Sequence, residues 1–291
     1  MSGTVAPFSV IIPAHNEASV IRRCLESLLE DHGPDGPPEI LVMCNGCRDD
    51  TAQIARAVSP LVRVIELDQG SKVLAINAGN AAARATPRFF VDADVVVTGR
   101  SLAATAEVLR ADGPVHAAAP ALEVDLAGCS WPIRSYYQVW LHQPYVRNGM
   151  VGSGVYGLSA TGLARVGEIP PIIADDAFVR TRFADGERLR VEAGSDGRPA
   201  SFTVFPPRDL GSLLRIEARR RAGDLQLAQG HDTAHNRRTT TGGSLLASLG
   251  KGVGPIDLAV YLAIKLASRA MAARLVKRRA PIAWARDESS R

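Results

Sequence analysis

An open α/β sheet, mostly parallel and with helices on both faces, is the fold class that the sequence predicts. Three observations carry it. Short apolar runs rich in β-branched and aromatic residues recur: Val10-Ile11-Ile12, Ile40-Leu41-Val42, Val62-Arg63-Val64-Ile65 and Phe89-Phe90-Val91. Stretches with apolar residues three and four apart separate them. Each run then stops at a polar cluster, and open α/β sheets bind ligands beyond the carboxyl ends of their strands.

Taken in order, Ser9–Pro13 predicts a buried strand, which His15-Asn16-Glu17 interrupts. Ile21, Leu25, Leu28 and Leu29 share one face of a helix, and the Gly/Pro-rich stretch Gly33–Pro38 ends it. Glu39–Met43 is a second strand with Cys44–Asp49 as its exit loop, and Asp50–Val58 reads as a helix. Val62–Leu67 is a third strand, Asp68–Ser71 a loop, and an Ala-rich helix runs on to Ala85. Arg88–Val91 is a fourth strand that closes on Asp92-Ala93-Asp94, followed by a helix over Leu102–Arg110 and a strand over His116–Val124.

After residue 125 the alternation stops. Trp131–Tyr145 is rich in aromatics, and Gly149, Gly152, Gly154 and Gly157 crowd the next segment. Asp175-Asp176 opens a helix with Phe178, Val179 and Phe183 facing inward. Ser201–Phe205 is a late strand. Leu210–Leu227 and Ile256–Val276 are helices joined by a Thr/Gly-rich loop at Thr239–Gly243.

Composition excludes several classes. With 46% hydrophobic and 22% charged residues over 291 positions, the chain is neither disordered nor a coiled coil, and it is long enough to bury a core without staples. Four cysteines are too few for a disulfide scaffold, so a reducing, cytoplasmic setting is expected. Lys265, Arg269 and Arg274 interrupt the most apolar C-terminal stretch, and no signal-peptide pattern opens the chain, so neither a membrane span nor secretion is expected. Residues 208–291 hold 16 Lys/Arg against 7 Asp/Glu, a net of +9, whereas residues 1–207 hold 18 against 23, a net of −5. Such a basic region either meets anionic partners or is a solvated helical face. Its arginines lack interleaved aromatics, so no nucleic-acid partner is expected.

Four sites can carry chemistry. Asp92 and Asp94, one residue apart at a strand end, would repel by about 4 kcal/mol at 4 Å and an effective dielectric near 20. A divalent cation relieves that, and oxygen ligands favour Mg2+ or Mn2+; helix-capping aspartates are the plainer alternative. Lys72 follows Gly70-Ser71 at a helix start, a position suited to an anionic group or to an ordinary surface lysine. Either Asp175 or Asp176, but not both, can be central as a general base; N-terminal capping is the alternative. His231, four residues before His235, is a candidate metal ligand or a loop residue. Cys44-Asn45-Gly46-Cys47 has no second Cys pair and reads as loop residues. The aromatics between Trp131 and Tyr145 either stack on an acceptor or belong to the core.

As a set, Val10-Ile-Ile-Pro-Ala-His-Asn-Glu17, Ile40-Leu-Val-Met-Cys-Asn-Gly-Cys-Arg-Asp-Asp-Thr51, Gly70-Ser-Lys-Val-Leu-Ala-Ile-Asn77 and Phe90-Val-Asp-Ala-Asp94 resemble family 2 glycosyltransferases of the GT-A fold. The resemblance runs from about Phe8 to Phe183. It implies inverting transfer of a sugar from a nucleotide-diphosphate donor to an acceptor hydroxyl. It also implies that Pro13, Asn16 and Glu17 line the nucleoside pocket, that Asn45 faces the base, and that Lys72 lies near the diphosphate. Asp92 would touch ribose or metal, Asp94 would bind Mg2+ or Mn2+, and Asp175-Asp176 would match the family's Glu-Asp pair with Asp176 as base. Cys44-Asn45 stands where the family often has Asp-Asp, and Glu217-Ala-Arg-Arg-Arg221 where many members carry Gln-x-x-Arg-Trp.

The expected organisation is a GT-A domain over 1–207, with a nucleotide-sugar half at about 8–125 and an acceptor half at 126–207, and a basic helical extension over 208–291. The expected acceptor is a carbohydrate, a lipid-linked or a small molecule. The expected location is the cytoplasm, with peripheral contact at the inner face of the membrane through the basic C-terminal region. Two alternatives stay open: a GT-A module that binds nucleotide-sugar without transferring it, and a haloacid-dehalogenase-type phosphatase using Asp92 and Asp94.

Overall fold

The computed structural model describes residues 6–33, 35–147, 152–230 and 242–277. The first half alternates as the periodicity requires: β1 (Ser9–Ala14), α1 (Ile21–Glu30), β2 (Glu39–Asn45), α2 (Thr51–Val58), β3 (Val62–Leu67), α3 (Lys72–Ala82), β4 (Arg88–Val91), β5 (Val96–Val97), α4 (Gly99–Arg110) and β6 (Ala117–Val124). Then come α5 (Trp131–Trp140), α6 (Pro144–Arg147), β7 (Val155–Leu158), α7 (Ala160–Val166), α8 (Asp175–Arg180), β8 (Arg188–Val191), β9 (Ser201–Val204), α9 (Leu210–Gly230), α10 (Gly242–Leu246) and α11 (Pro255–Lys277).

The strands form one nine-stranded sheet in the order β3-β2-β1-β4-β7-β6-β9-β5, with β8 also paired to β6. β3, β2, β1 and β4 are parallel, so their carboxyl ends share one rim. β7 then enters antiparallel between β4 and β6, and the second half is mixed. Strand residues alternate between two apolar layers, as the pleat dictates. Val10, Ile12, Val42 and Phe89 face the layer beneath α1 and α4, whereas Ile11, Leu41, Met43 and Phe90 face the layer beneath α3. α3 lies very close to the sheet: a Cβ on Gly79 would sit 2.5 Å from the Ile11 Cγ2 atom.

Three differences from the sequence reading have physical causes. The α3 helix stops at Ala82, because Ala83 turns extended ahead of Pro87. The glycine-rich stretch hides β7, whose Val155 and Tyr156 sit among residues with low strand preference. Cys44 is no loop residue but the buried end of β2. Of the 131–145 aromatics, Tyr136, Tyr137 and Trp140 belong to the core, with Tyr136 stacked on Tyr261 of α11, while Trp131 is exposed. The Thr239–Thr241 part of the loop, His231 and His235 lie outside the described residues.

The C-terminal helices pack on this body. α11 lies along both α9 and α5, and a Cβ on Gly223 of α9 would come within 3.0 Å of Ala174 Cβ at the start of α8. Glu217 is buried between them; it accepts from Lys265 Nζ at 2.5 Å and from Arg220 Nη1 at 3.1 Å. Among the described residues, no helix is long and apolar enough to cross a membrane.

Candidate active site

The four polar clusters after β1, β2, β3 and β4 meet on the parallel rim. There the backbone is locked by side chains. Asn45 Nδ2 donates to Ala14 O at 2.8 Å, and Asn45 Oδ1 accepts from Ser71 N–H at 2.9 Å. Asn45 is fully buried. Its amide ties β1 to the start of α3. Arg48 N–H donates to Asn16 Oδ1 at 2.7 Å, and Glu17 N–H donates to Thr51 Oγ1 at 2.7 Å. Asn16 has φ 55°, which lifts the chain over the rim. Pro13 and Glu17 are buried, and Asn16 is half-buried. Cys47 Sγ accepts from Asn16 N–H at 3.5 Å and donates to Ala14 O at 3.4 Å.

Lys72 is the first residue of α3, whose N-cap Ser71 accepts from Leu74 N–H. The Lys72 ammonium lies 2.8 Å from Asp92 Oδ1 and 3.4 Å from Asp175 Oδ2. It therefore joins the end of β4 to the start of α8, residues far apart in sequence. Burial opposes its charge, but the Asp175 and Asp92 carboxylates outweigh burial and hold it well above the ordinary lysine range.

The two residues of the Asp175-Asp176 pair differ in environment. Asp175 is buried, and burial pushes its carboxyl up to about 6 despite the pull of Lys72. Asp176 is half-buried. Burial raises it too, but Lys72, Arg220 and Arg180 together bring it below the usual carboxylate range, and Ala177 N–H donates to its Oδ1 at 2.7 Å. Two neighbouring carboxyls with separated proton affinities can serve different roles.

The segment 152–154 fastens both acidic ends. Asp92 N–H donates to Gly154 O at 2.8 Å. Gly152 has φ 104°, and a Cβ there would meet Asp176 Cβ at 2.9 Å, so only glycine fits. Two of the glycines that crowd this stretch of sequence, Gly152 and Gly154, are thus the backbone that touches Asp176 and Asp92. Sequence reasoning also missed Tyr156, because a lone tyrosine in a glycine-rich run gives no signal. Its hydroxyl is buried with no hydrogen-bond partner among the described residues. Burial and the Asp175 charge keep the phenol well above its ordinary range, so it stays protonated. Arg219 and Arg220 of α9 lie in the Glu217–Arg221 segment that stands where many members carry Gln-x-x-Arg-Trp; their charges act on Asp175 and Asp176 respectively.

The donor set at Asp92 and Asp94 suits a hard cation. Burial, and next the charge of Asp92, push the Asp94 carboxyl up to about 6. A divalent ion would offset both the burial and the Asp92 charge. Among the described residues no three His, Cys, Asp or Glu gather to cage a metal. Mg2+ and Mn2+ held by one or two carboxylates complete their shell with ligand phosphates and water, so two aspartates suffice. His231 lies outside the described residues.

A parallel rim carrying an Asp-x-Asp strand end and a helix-start lysine, on a sheet whose second half is mixed, defines a GT-A glycosyltransferase architecture. Residues 9–154, half of the chain, match the model of glycosyl transferase family 2, and the chain belongs to that family. The phosphatase alternative falls with that assignment. The chain is 36% identical over 98 residues to the glycosyltransferase AglE of Haloferax volcanii, a match spanning 32% of each protein. The chain thus aligns with about a third of that relative's length. Among solved structures, the mannosyltransferase PcManGT of Pyrobaculum calidifontis, in complex with GDP-Man and Mn2+, superposes with a TM-score of 0.58 at 20% identity, over 94% of this chain and 79% of that one. Glucosyl-3-phosphoglycerate synthase of Mycobacterium tuberculosis, in complex with phosphoglyceric acid, gives 0.54 at 18% identity, over 77% and 79%. At these identities the structural likeness speaks to the fold.

Proposed function

We propose that the chain transfers a sugar, with inversion, from a nucleotide-diphosphate donor to an acceptor hydroxyl, and that Asp176 is the general base. One observation carries this reading. The Lys72 ammonium bridges Asp92 and Asp175, so the strand end suited to a diphosphate and the paired carboxylates suited to proton removal surround one space.

Pro13, Asn16 and Glu17 would wall the nucleoside side, with Asn45 holding that wall from below. Lys72 and the N-terminus of α3 would face the diphosphate. Asp92 and Asp94 would hold Mg2+ or Mn2+. When bound, the cation would neutralise charge on the leaving diphosphate. Asp176, held ionised by Lys72, Arg220 and Arg180, accepts the acceptor's hydroxyl proton as that oxygen bonds to the anomeric carbon. The carbon–oxygen bond to phosphate breaks, and its electron pair leaves with the diphosphate. Asp175 keeps Lys72 in place and takes no proton from the acceptor. Arg219 and Arg220 bring positive charge from α9, so the active unit would extend beyond 1–207 into the basic C-terminal part.

The same reading divides the rim into a donor half within 8–125 and an acceptor half within 126–207. It sets the reaction in the cytoplasm, peripherally at the inner face of the membrane, on a carbohydrate, lipid-linked or small-molecule acceptor. The mannosyltransferase and synthase complexes named above hold a nucleotide-sugar with Mn2+ and a small phosphorylated acid, which supports the donor and acceptor classes. Asp176→Asn tests the base. Turnover should fall by about 10²–10⁴-fold, while calorimetric donor affinity stays within about threefold, a change under 1 kcal/mol. Unchanged turnover would remove Asp176 from the role, and a wild-type chain that binds donor without transferring sugar would leave the binding module.

A further inference from the structure

The outward face of α11 is apolar where a solvated helix face is ordinarily charged. The inward stripe, through Tyr261, Ile264, Ser268 and Ala272, is buried against the neighbouring helices. The opposite stripe runs through Ile256, Ala259, Leu262, Ala263, Leu266 and Ala267, all exposed. Ile256 is 70% exposed, Leu262 42% and Leu266 62%. A single large exposed side chain is ordinary, but three on one face of one helix form a patch.

Charge on this helix is one-sided. Asp257 is its only acidic residue, and its Oδ2 is turned back to accept from Gly254 N–H at 2.9 Å. Lys265 is directed to Glu217. Arg269 and Arg274 are exposed beyond the apolar stretch, and the sequence continues as Lys277-Arg278-Arg279. A helix with an apolar face, no acid on it and arginines at its flank lies in the plane of an anionic bilayer surface.

We propose that the Ile256–Ala267 face of α11 docks the protein on an anionic lipid surface. Charge decides between lipid and a second copy of the chain. Residues 208–291 carry a net charge of +9 while residues 1–207 carry −5. Self-pairing would bring two copies of this positively charged region together, whereas anionic headgroups attract it and repel the acidic part of the body. Docking does not depend on the transferase reading. Its consequence for substrate does rest on that reading. α9 both packs on α11 and places Arg220 toward Asp176, so the docked helix lies one helix away from the proposed base. A lipid-linked acceptor is then the class the site would meet.

The test is flotation of the full chain with vesicles of phosphatidylcholine alone and of phosphatidylcholine mixed with phosphatidylglycerol. The wild type should float with the anionic vesicles at low salt and less so at high salt. The double substitution Leu262→Ser and Leu266→Ser should cut the bound fraction by about tenfold or more, since burying two leucines in the interface supplies much of the binding. Both side chains are exposed, so melting temperature and donor affinity should not change. Absence of flotation at low salt overturns the proposal. So does equal flotation of the double variant, or a wild-type dimer in sedimentation that the double variant abolishes. Calorimetry with nucleotide-sugars on the same samples separates the two ideas, because lost donor binding alongside intact flotation refutes the transferase reading and leaves docking standing.

Discussion

Removing the charge of Lys72 while keeping its length, as in Lys72→Met, strikes the joint of the site. Its ammonium is 2.8 Å from Asp92 and 3.4 Å from Asp175. At an effective dielectric near 20 each contact is worth about 5 kcal/mol of gross attraction. Desolvation of the ammonium offsets most of that. Breaking a buried pair costs about 3–5 kcal/mol. Asp92 is more than a third exposed, so water screens its share, and a loss near 2–3 kcal/mol is expected. For a chain of this size that lowers the melting temperature by roughly 5–10 °C. The catalytic loss should be larger. A preorganised cation facing a leaving diphosphate is worth about 10²–10³-fold in turnover. The proton affinity of Asp175 also moves. Lys72 pulls down both that carboxyl and the proposed base Asp176 against their burial, so the variant should raise both and, through Asp176, shift the acid limb of the pH–rate profile to higher pH. Lys72→Arg should recover part of the loss. The assay is steady-state transfer from pH 5 to pH 9, with a thermal melt of each variant. A folded Lys72→Met protein within about threefold of wild-type kcat/KM, a difference under 1 kcal/mol, with an unmoved profile, would refute the role given to Lys72.

Three further outcomes follow from the same geometry. Asp175 has a raised folded-state affinity, so the native state binds a proton more tightly than the unfolded chain between about pH 4 and pH 6, and this group makes stability fall as pH rises through that window. Asp175→Asn should therefore flatten that decline in urea titrations, and an unchanged slope would count against the buried carboxyl. Gly152→Ala would force a Cβ to within 2.9 Å of Asp176 Cβ at φ 104°; turnover should drop by about 10²-fold through misplacement of the carboxylate, while far-ultraviolet circular dichroism stays native. Glu217→Ala leaves the Lys265 ammonium facing Tyr136 and Tyr261 without its carboxylate, and should cost about 3 kcal/mol in denaturant unfolding; a cost below 1 kcal/mol would mean the network contributes little.

The parallel half of the fold was legible because each strand there is an apolar run that stops abruptly at polar residues. β1, β2 and β4 show this pattern clearly, β3 shows it with Arg63 and Glu66 set into the run, and adjacent parallel strands leave their ends nowhere but on one rim. The other half was obscure for a definite reason. β6 and β9 could be read, but β7 and β8 are four residues each, and β7 is embedded among glycines whose role is close approach to Asp176 and Val95. Local pattern reports periodicity, but it does not report which polar group turns inward. Asn45 stands in a rim motif yet spends its amide on Ala14 O and Ser71 N–H. Asp175 and Asp176 are chemically alike and adjacent, and only their unequal exposure separates a buried anchor from an accessible carboxylate. The Lys72 bridge to Asp175 spans about a hundred residues (72 to 175), a distance over which no local signal operates. The outward face of α11 is likewise invisible in sequence, because a helix with apolar residues on every side reads as buried until its packing shows which side is covered.

Transfer at this rim requires that it bind a nucleotide-sugar through Asp94. Calorimetric titration of the folded chain with UDP-sugars and GDP-sugars, with and without Mn2+, and with Asp94→Ala alongside, measures that directly. Binding of one donor that requires the metal and disappears in Asp94→Ala is the predicted result. A folded protein that binds no donor, or whose binding survives both metal removal and Asp94→Ala, would contradict it.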